Sequence, residues 1–334
     1  MSKLLNISII GAGQIGSRHL QAFAHSKESI RIQLVDPSQD SLEVACQRFH
    51  SVYKESSKRI SLQTFNTIEE LDMHQDVAIV ATDATVRNDV IKELVQKKKI
   101  EAMIFEKVLF QTEKEYFEID SLLKSKKIPT WVNCILRATG FFRELKNLLN
   151  RDEQICMRVE GANWGLACNG IHFIDLFSFL TGSKDFEFTD VKFDQIIPDF
   201  RRPNFKEFIG EMMGENSLGH HLIMSCRESN GDLGNTRGLK TILIDNGNKH
   251  HKIIVYADKV VHTTITESGE TKVTESLPLQ SQITHRLVED IVRSGTCGLP
   301  TYTESMVLHL SFIRKLLSHL TKITGKNVTR CPIT

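Results

Sequence analysis

The chain has 334 residues, 40% hydrophobic and 25% charged, with 42 basic and 41 acidic side chains for a formal net charge of +1. That length calls for about two domains, and the composition is that of an ordinary globular protein. The balanced charge excludes the footprint of a nucleic-acid or anionic-membrane binder, and no apolar run reaches the ~18 residues of a membrane span.

The first apolar run, Asn6-Ile7-Ser8-Ile9-Ile10, has strand composition. It is not a leader, because no separate basic region, apolar core and cleavage site can be made out; a cytoplasmic location is expected. Directly after it comes Gly11-Ala12-Gly13-Gln14-Ile15-Gly16, and residues 17–25 read as a helix. Three glycines thus bridge a strand and a helix. Gly11 allows the tight turn, Gly13 lets backbone approach a pyrophosphate, and Gly16 lets helix and strand pack closely. The helix start offers N–H groups and partial positive charge to phosphate, so Gln14 and Ile15 are counted with the turn. A second strand, residues 30–35, delivers Asp36, whose carboxylate can accept hydrogen bonds from a ribose. An ordinary glycine-rich turn is the alternative; strand, helix, second strand and acid in register argue for a dinucleotide.

Strand-like and helix-like stretches alternate up to about residue 133. They are a helix over 40–49, strands over 61–65 and 77–82, a helix over 85–98, a strand over 102–106, a helix over 113–126 and a strand over 130–133. This is the pattern of a doubly wound parallel sheet, a Rossmann fold, in which ligands bind beyond the C-terminal strand ends. The residues to inspect there are Thr82, Glu106, Lys107 and Asn133. Lys97-Lys98-Lys99 closes a predicted helix and reads as a solvated face.

Beyond residue 141 the pattern changes. A helix over 141–149, a strand over 154–161 and an apolar helix over 170–180 are followed by strands over 186–197, 217–226, 238–244, 252–257 and 260–266. Short polar turns such as Asp245-Asn246-Gly247-Asn248 join consecutive strands, which implies a mostly antiparallel open sheet. Helices over 282–294 and 302–320 close the chain. The expected organisation is an NAD-binding Rossmann domain over 1–132 and an α+β substrate domain over 133–334, the last helix being free to return to the first domain. Seven cysteines, widely spaced and without a C-x-x-C pair, read as reduced thiols with no metal site.

Two features can carry chemistry. Lys107, after Glu106 at a strand end, can hold a substrate hydroxyl or stabilise charge on its oxygen, or can be a surface lysine. His172, near the start of the apolar helix in Cys168-Asn169-Gly170-Ile171-His172-Phe173-Ile174-Asp175, can take a hydroxyl proton, or can be structural. Asp175 can hold that imidazole, join a buried network or contact the other domain. Asn133, Arg137, Asn163, Trp164 and Asn169 are further substrate-side candidates. Trp164 can stack on a sugar or fill space. Arg137 can hold a carboxylate or phosphate bidentately. Arg201, Arg202 and Arg237 are weaker candidates.

These segments resemble the Gfo/Idh/MocA family, the glucose–fructose oxidoreductase and inositol dehydrogenase type. The resemblance rests on the glycine turn, Ala81-Thr82, Glu106-Lys107, Arg137, the Gly170-to-Leu176 segment with His172 and Asp175, and Pro300-to-Glu304. It implies that Lys107 and His172 flank a sugar carbon that exchanges hydride with NAD(P). It also implies, by fold analogy, a homodimer or homotetramer. Two positions depart from the family pattern: Val108 stands where a proline follows the lysine, and Cys168 where an aspartate often precedes the histidine. Asp36, with no arginine following, favours NAD over NADP. The expected function is hydride transfer at a secondary hydroxyl of a sugar, sugar acid or nucleotide sugar. A catalytically silent NAD and sugar sensor on the same fold, or an imine or enone reductase, are the alternatives.

Overall fold

Short strand-forming runs pair in parallel, the inner ones buried on both faces. In the computed structural model, which describes residues 4–53, 59–194, 204–228 and 239–334, six of them form one parallel sheet. They are β1 (Leu5–Ile10), β2 (Ile30–Val35), β3 (Ile60–Phe65), β5 (Val77–Val80), β7 (Met103–Phe105) and β8 (Thr130–Val132). Two-residue strands β4 (His74–Gln75) and β6 (Lys99–Ile100) pair separately. Ile7, Ile9 and every residue of β5 are fully buried, as expected of parallel strands covered by helices. The helices are α1 (Gln14–Ala22), α2 (Gln39–His50), α3 (Arg87–Lys97) and α4 (Glu113–Lys126). α2 starts where Ser38 accepts a hydrogen bond from the Ser41 N–H at 3.2 Å, with Asp40 in its first turn.

The strand order is β3-β2-β1-β5-β7-β8. The chain leaves β1 toward one edge, then crosses to build the other, so the switch point lies at the C-terminal ends of β1 and β5. In such sheets that is where ligands bind.

The second sheet has the order β10-β11-β12-β9-β13-β14-β15-β16. Its strands are β9 (Ile155–Ala162), β10 (Glu187–Phe193), β11 (Gly210–Glu215), β12 (His221–Arg227), β13 (Lys240–Asn246), β14 (Lys249–Val255), β15 (Lys259–Thr266) and β16 (Gly269–Ser276). Neighbours are antiparallel except β9 and β12, which run parallel. The β13–β14 turn closes over Gly247 and Asn248, Gly247 having φ +59°. On one face Leu222, Met224, Ile242, Ile244, Ile253 and Val260 are buried. The alternate residues Ile223, Leu243, Ile254 and Val261 are half-exposed. The helices of this half are α5 (Gly140–Leu148), α6 (Leu166–Thr181) and α8 (Tyr302–Thr324); α6 packs on β9 and β12.

β11 and β16 are not apparent in the sequence. β16 is polar and nearly all exposed, so β15 sets its register rather than an apolar pattern. α6 begins four residues before the predicted start, which puts His172 in its second turn. Residues 195–197 and 238 of two predicted strands, and Arg201, Arg202 and Arg237, lie outside the described residues.

The chain divides into two units. One holds residues 1–110, 114–133 and 278–302; the other holds 111–113, 134–277 and 303–334. α7 (Gln280–Ser294) therefore belongs with the Rossmann sheet, packed on α1. Among the described residues no helix is long and apolar enough to cross a membrane.

Candidate functional site

The turn after β1 is shaped by its glycines. Gly11 has φ +102°, and a side chain there would meet Ala81 and Thr82 backbone at 3.0 Å. A Cβ on Gly16 would lie 1.8 Å from the Gly11 carbonyl oxygen. Only hydrogen fits, which is the close helix–strand contact that the spacing implies. Gly13 is different: it is exposed, and a Cβ there meets nothing within 4 Å. Gly13 also caps α1 without a side-chain hydrogen bond, and no acid sits in the first turn. An open helix start of this kind suits phosphate.

Asp36 follows β2. One carboxylate oxygen accepts the Ala12 N–H at 2.7 Å and the other the Ser38 N–H at 2.8 Å. Each oxygen keeps a lone pair for a ribose hydroxyl. The Thr82 hydroxyl, beside Gly11, is buried and has no partner among the described residues. The open Gly13, the uncapped α1, the Asp36 carboxylate and this orphaned hydroxyl together fit a dinucleotide. Arg48, on α2, donates to Gln14 Oε1 at 3.0 Å and Ser17 Oγ at 2.7 Å. Arg31 is spent on Asp72 at 2.9 Å.

Glu106 and Lys107 leave the C-terminal end of β7. Glu106 is 4% exposed, and its Oε1 accepts from His19 Nε2 at 2.9 Å and from the Asn133 amide. Burial alone would raise this carboxyl; the His19 hydrogen bond, the nearby Lys107 charge and Asn133 outweigh it and hold it at about 2. The network runs on. Asn133 also donates to Gln280 Oε1 at 2.8 Å, and His19 Nδ1 lies 2.9 Å from the Thr284 hydroxyl. α7 thus reaches the carboxylate beside Lys107. Lys107 itself is half-buried. Without a proline at 108 a cis bond is not expected there, yet the Lys107–Val108 bond is cis.

Arg87 opens α3 and is 1% exposed. Its guanidinium donates to the carbonyls of Thr82, Val108 and Leu109, the last at 2.9 Å. Burial lowers it to about 10 against the opposing pull of Glu106 and Asp83, so it stays charged at neutral pH.

In the other unit, α6 starts at an αL glycine, Gly165, with no acid in its own first turn. Glu207 supplies one from a distant segment: it accepts the N–H groups of Ala167 and, at 3.4 Å, Cys168. Burial raises this carboxyl above its ordinary range despite those donors. A carboxylate is therefore present at Cys168, though not in the position the family pattern implies. A Cβ on Gly170 would lie 3.0 Å from the Phe312 ring, so the glycine lets α8 approach α6. His172 is half-buried. Asn169, also half-buried, donates to the Trp164 carbonyl at 2.8 Å.

The remaining candidates are tied inward. Asp175, 1% exposed, pairs with Arg137 Nε at 3.2 Å, joining a buried pair within its own unit. Burial lifts its carboxyl to about 7, with Arg137 opposing and Glu304 adding to the rise. Arg137 also lies over the Phe179 ring, 5.1 Å from its centre. Trp164 is 2% exposed, its indole N–H on the Ser225 carbonyl at 2.9 Å and its ring edge-on to Phe173. Asn133 is 3% exposed within the Glu106 network.

Sequence reasoning missed His19, Arg87, Gln280, Thr284 and Glu207. Each acts on a segment far away in the chain, so no local spacing marks it. For Arg87 the only signal is a basic residue at a helix start, where the dipole disfavours it.

Fold and turn together define a dinucleotide-binding Rossmann protein with a second, open-sheet unit. Residues 5–134 match the model of the oxidoreductase family with an NAD-binding Rossmann fold, GFO_IDH_MocA. That segment is similar to the NAD-binding part of Gfo/Idh/MocA oxidoreductases. No curated protein matches. Three solved structures resemble it in fold. An oxidoreductase from Agrobacterium radiobacter, in complex with NAD+, L-tartaric acid and magnesium, is 12% identical with TM-score 0.71, covering 97% of this chain and 98% of that one. The 3-ketoreductase KijD10 from Actinomadura kijaniata, in complex with TDP-benzene and NADP, is 12% identical with TM-score 0.68, covering 93% and 96%. A super-repressor mutant of Gal80p from Saccharomyces cerevisiae is 13% identical with TM-score 0.68, covering 98% of each chain. At these identities the likeness is one of fold.

Proposed function

We propose that this chain is an NAD-dependent oxidoreductase that moves hydride at a secondary hydroxyl of a sugar, sugar acid or nucleotide sugar. One observation carries the reading: an open phosphate-ready turn and Lys107 leave the C-terminal ends of neighbouring parts of one parallel sheet. Asp36 supports NAD over NADP, because its carboxylate repels a 2′-phosphate and Arg31 is committed to Asp72. A dinucleotide held by its pyrophosphate at the turn would supply a nicotinamide as hydride acceptor or donor. Lys107 holds the substrate oxygen and stabilises charge on it. His172 takes or returns the hydroxyl proton, and Asn169 contacts the substrate. Arg137, Asn133 and Trp164 support these groups from behind.

The test is a sugar panel with NAD, followed at the NADH absorbance. Lys107→Ala and His172→Ala should each lose turnover by about 100-fold while NADH binding survives. Unchanged turnover in both ends the assignment. Val108 and Cys168 favour a second reading, a silent NAD and sugar sensor. It predicts no NADH with any sugar but a sugar-dependent NADH affinity.

A further inference from the structure

Arg87 does more than fill space. Its fork spans two turns that the sequence separates. One is the turn after β5, where it takes the Thr82 carbonyl; the other is the turn after β7, where it takes Val108 and Leu109. Thr82 is the backbone against which Gly11 is packed, at 3.0 Å from where a Gly11 side chain would begin. Val108 directly follows Lys107. One buried group therefore holds both the wall of the glycine turn and the base of the lysine turn. Packing gives no reason for a cation here. Its Nε has no partner among the described residues, and a buried charge left partly unsatisfied is costlier than an apolar side chain of similar volume. A lysine would not replace it, because a point donor cannot span carbonyls on two turns.

We propose that Arg87 is the positioning residue of this site, coupling the Thr82 turn to the Lys107 turn so that a dinucleotide at the glycine turn sets where the Lys107 amine stands. The proposal rests on the reading of Lys107 given above.

The test follows Lys107 directly rather than turnover. The full chain is acetylated with acetic anhydride, and modification of Lys107 is timed by mass spectrometry with and without saturating NADH. NADH affinity is measured separately by nicotinamide fluorescence. In the unaltered protein NADH should slow Lys107 modification about tenfold, the size of an ordinary coupling between sites. With NADH held saturating for each variant, Arg87→Lys and Arg87→Met should lose most of that protection. If Arg87→Lys protects as the unaltered protein does, only charge matters and the coupling role falls. Protection in both variants as strong as in the unaltered protein refutes it likewise. If NADH fails to protect Lys107 in the unaltered protein, the reading of Lys107 itself falls first and takes this one with it. Should neither variant fold, hydrogen exchange on the unaltered protein decides. NADH must slow amides of residues 82–86 and 107–111 together; slowing of the first segment alone overturns the coupling.

Discussion

Two glycines of one turn should respond in opposite ways to the same methyl group. At Gly16 an added Cβ would lie 1.8 Å from the Gly11 carbonyl oxygen, against an ordinary contact of at least 3.4 Å. Helix α1 must then move off β1 by more than an ångström. Overpacking of this kind costs about 3 kcal/mol or more, and the helix preference of alanine returns about 1, leaving a net loss near 2. At Gly13 the new Cβ meets nothing within 4 Å and φ is −62°, a value alanine adopts freely. Gly13→Ala should therefore change stability by no more than about 0.5 kcal/mol. It does, however, occupy the space through which a pyrophosphate approaches the helix start, and NADH should bind at least about tenfold more weakly, roughly 1.4 kcal/mol. Urea unfolding and fluorescence titration of NADH on both variants are the assays. Unchanged NADH affinity in Gly13→Ala would refute the placement of the pyrophosphate. Unchanged stability in Gly16→Ala would refute the tight helix–strand contact.

NADH should bind at least about tenfold tighter than NADPH, and equal affinities by titration would remove Asp36 from its proposed role. Asp175 predicts a pH dependence of stability. Its carboxyl stands at about 7 in the fold against 3.8 when free, so between those values the folded chain holds a proton the unfolded chain has released. Stability from this group is therefore lost as pH rises through that window, by an amount on the order of 4 kcal/mol at most. Asp175→Asn should flatten the decline between pH 5 and 8; parallel curves for variant and parent would contradict it. His251 works in the opposite direction. It is buried against His262 at 3.0 Å, and burial, with the His262, Lys249 and His250 charges, lowers it to about 4 from 6.5. Its neutral form is the folded one, so stability is complete above 6.5 and declines as pH falls toward 4. Replacing His251 with glutamine should reduce that acid sensitivity in thermal melts at pH 4.5 and 7.

The amino-acid sequence by itself determined the glycine turn, Asp36, the alternation that makes the first sheet parallel, and the apolar helix bearing His172. These are demands made within a few residues: a backbone with no room for Cβ, a strand buried on both faces, a hairpin turn at Gly247. The edge strand β16 was not legible, because its residues are polar and its partner dictates its register. Tertiary structure alone decided which polar groups meet in the interior. His19 finds Thr284 across 265 residues, Asn133 finds Gln280 across 147, and Glu207 finds the start of α6 across 40. Arg137, free in the sequence to hold a substrate anion, is drawn instead to Asp175. A buried charge must take whatever partner the packing of distant elements brings within reach, and no local spacing encodes that choice.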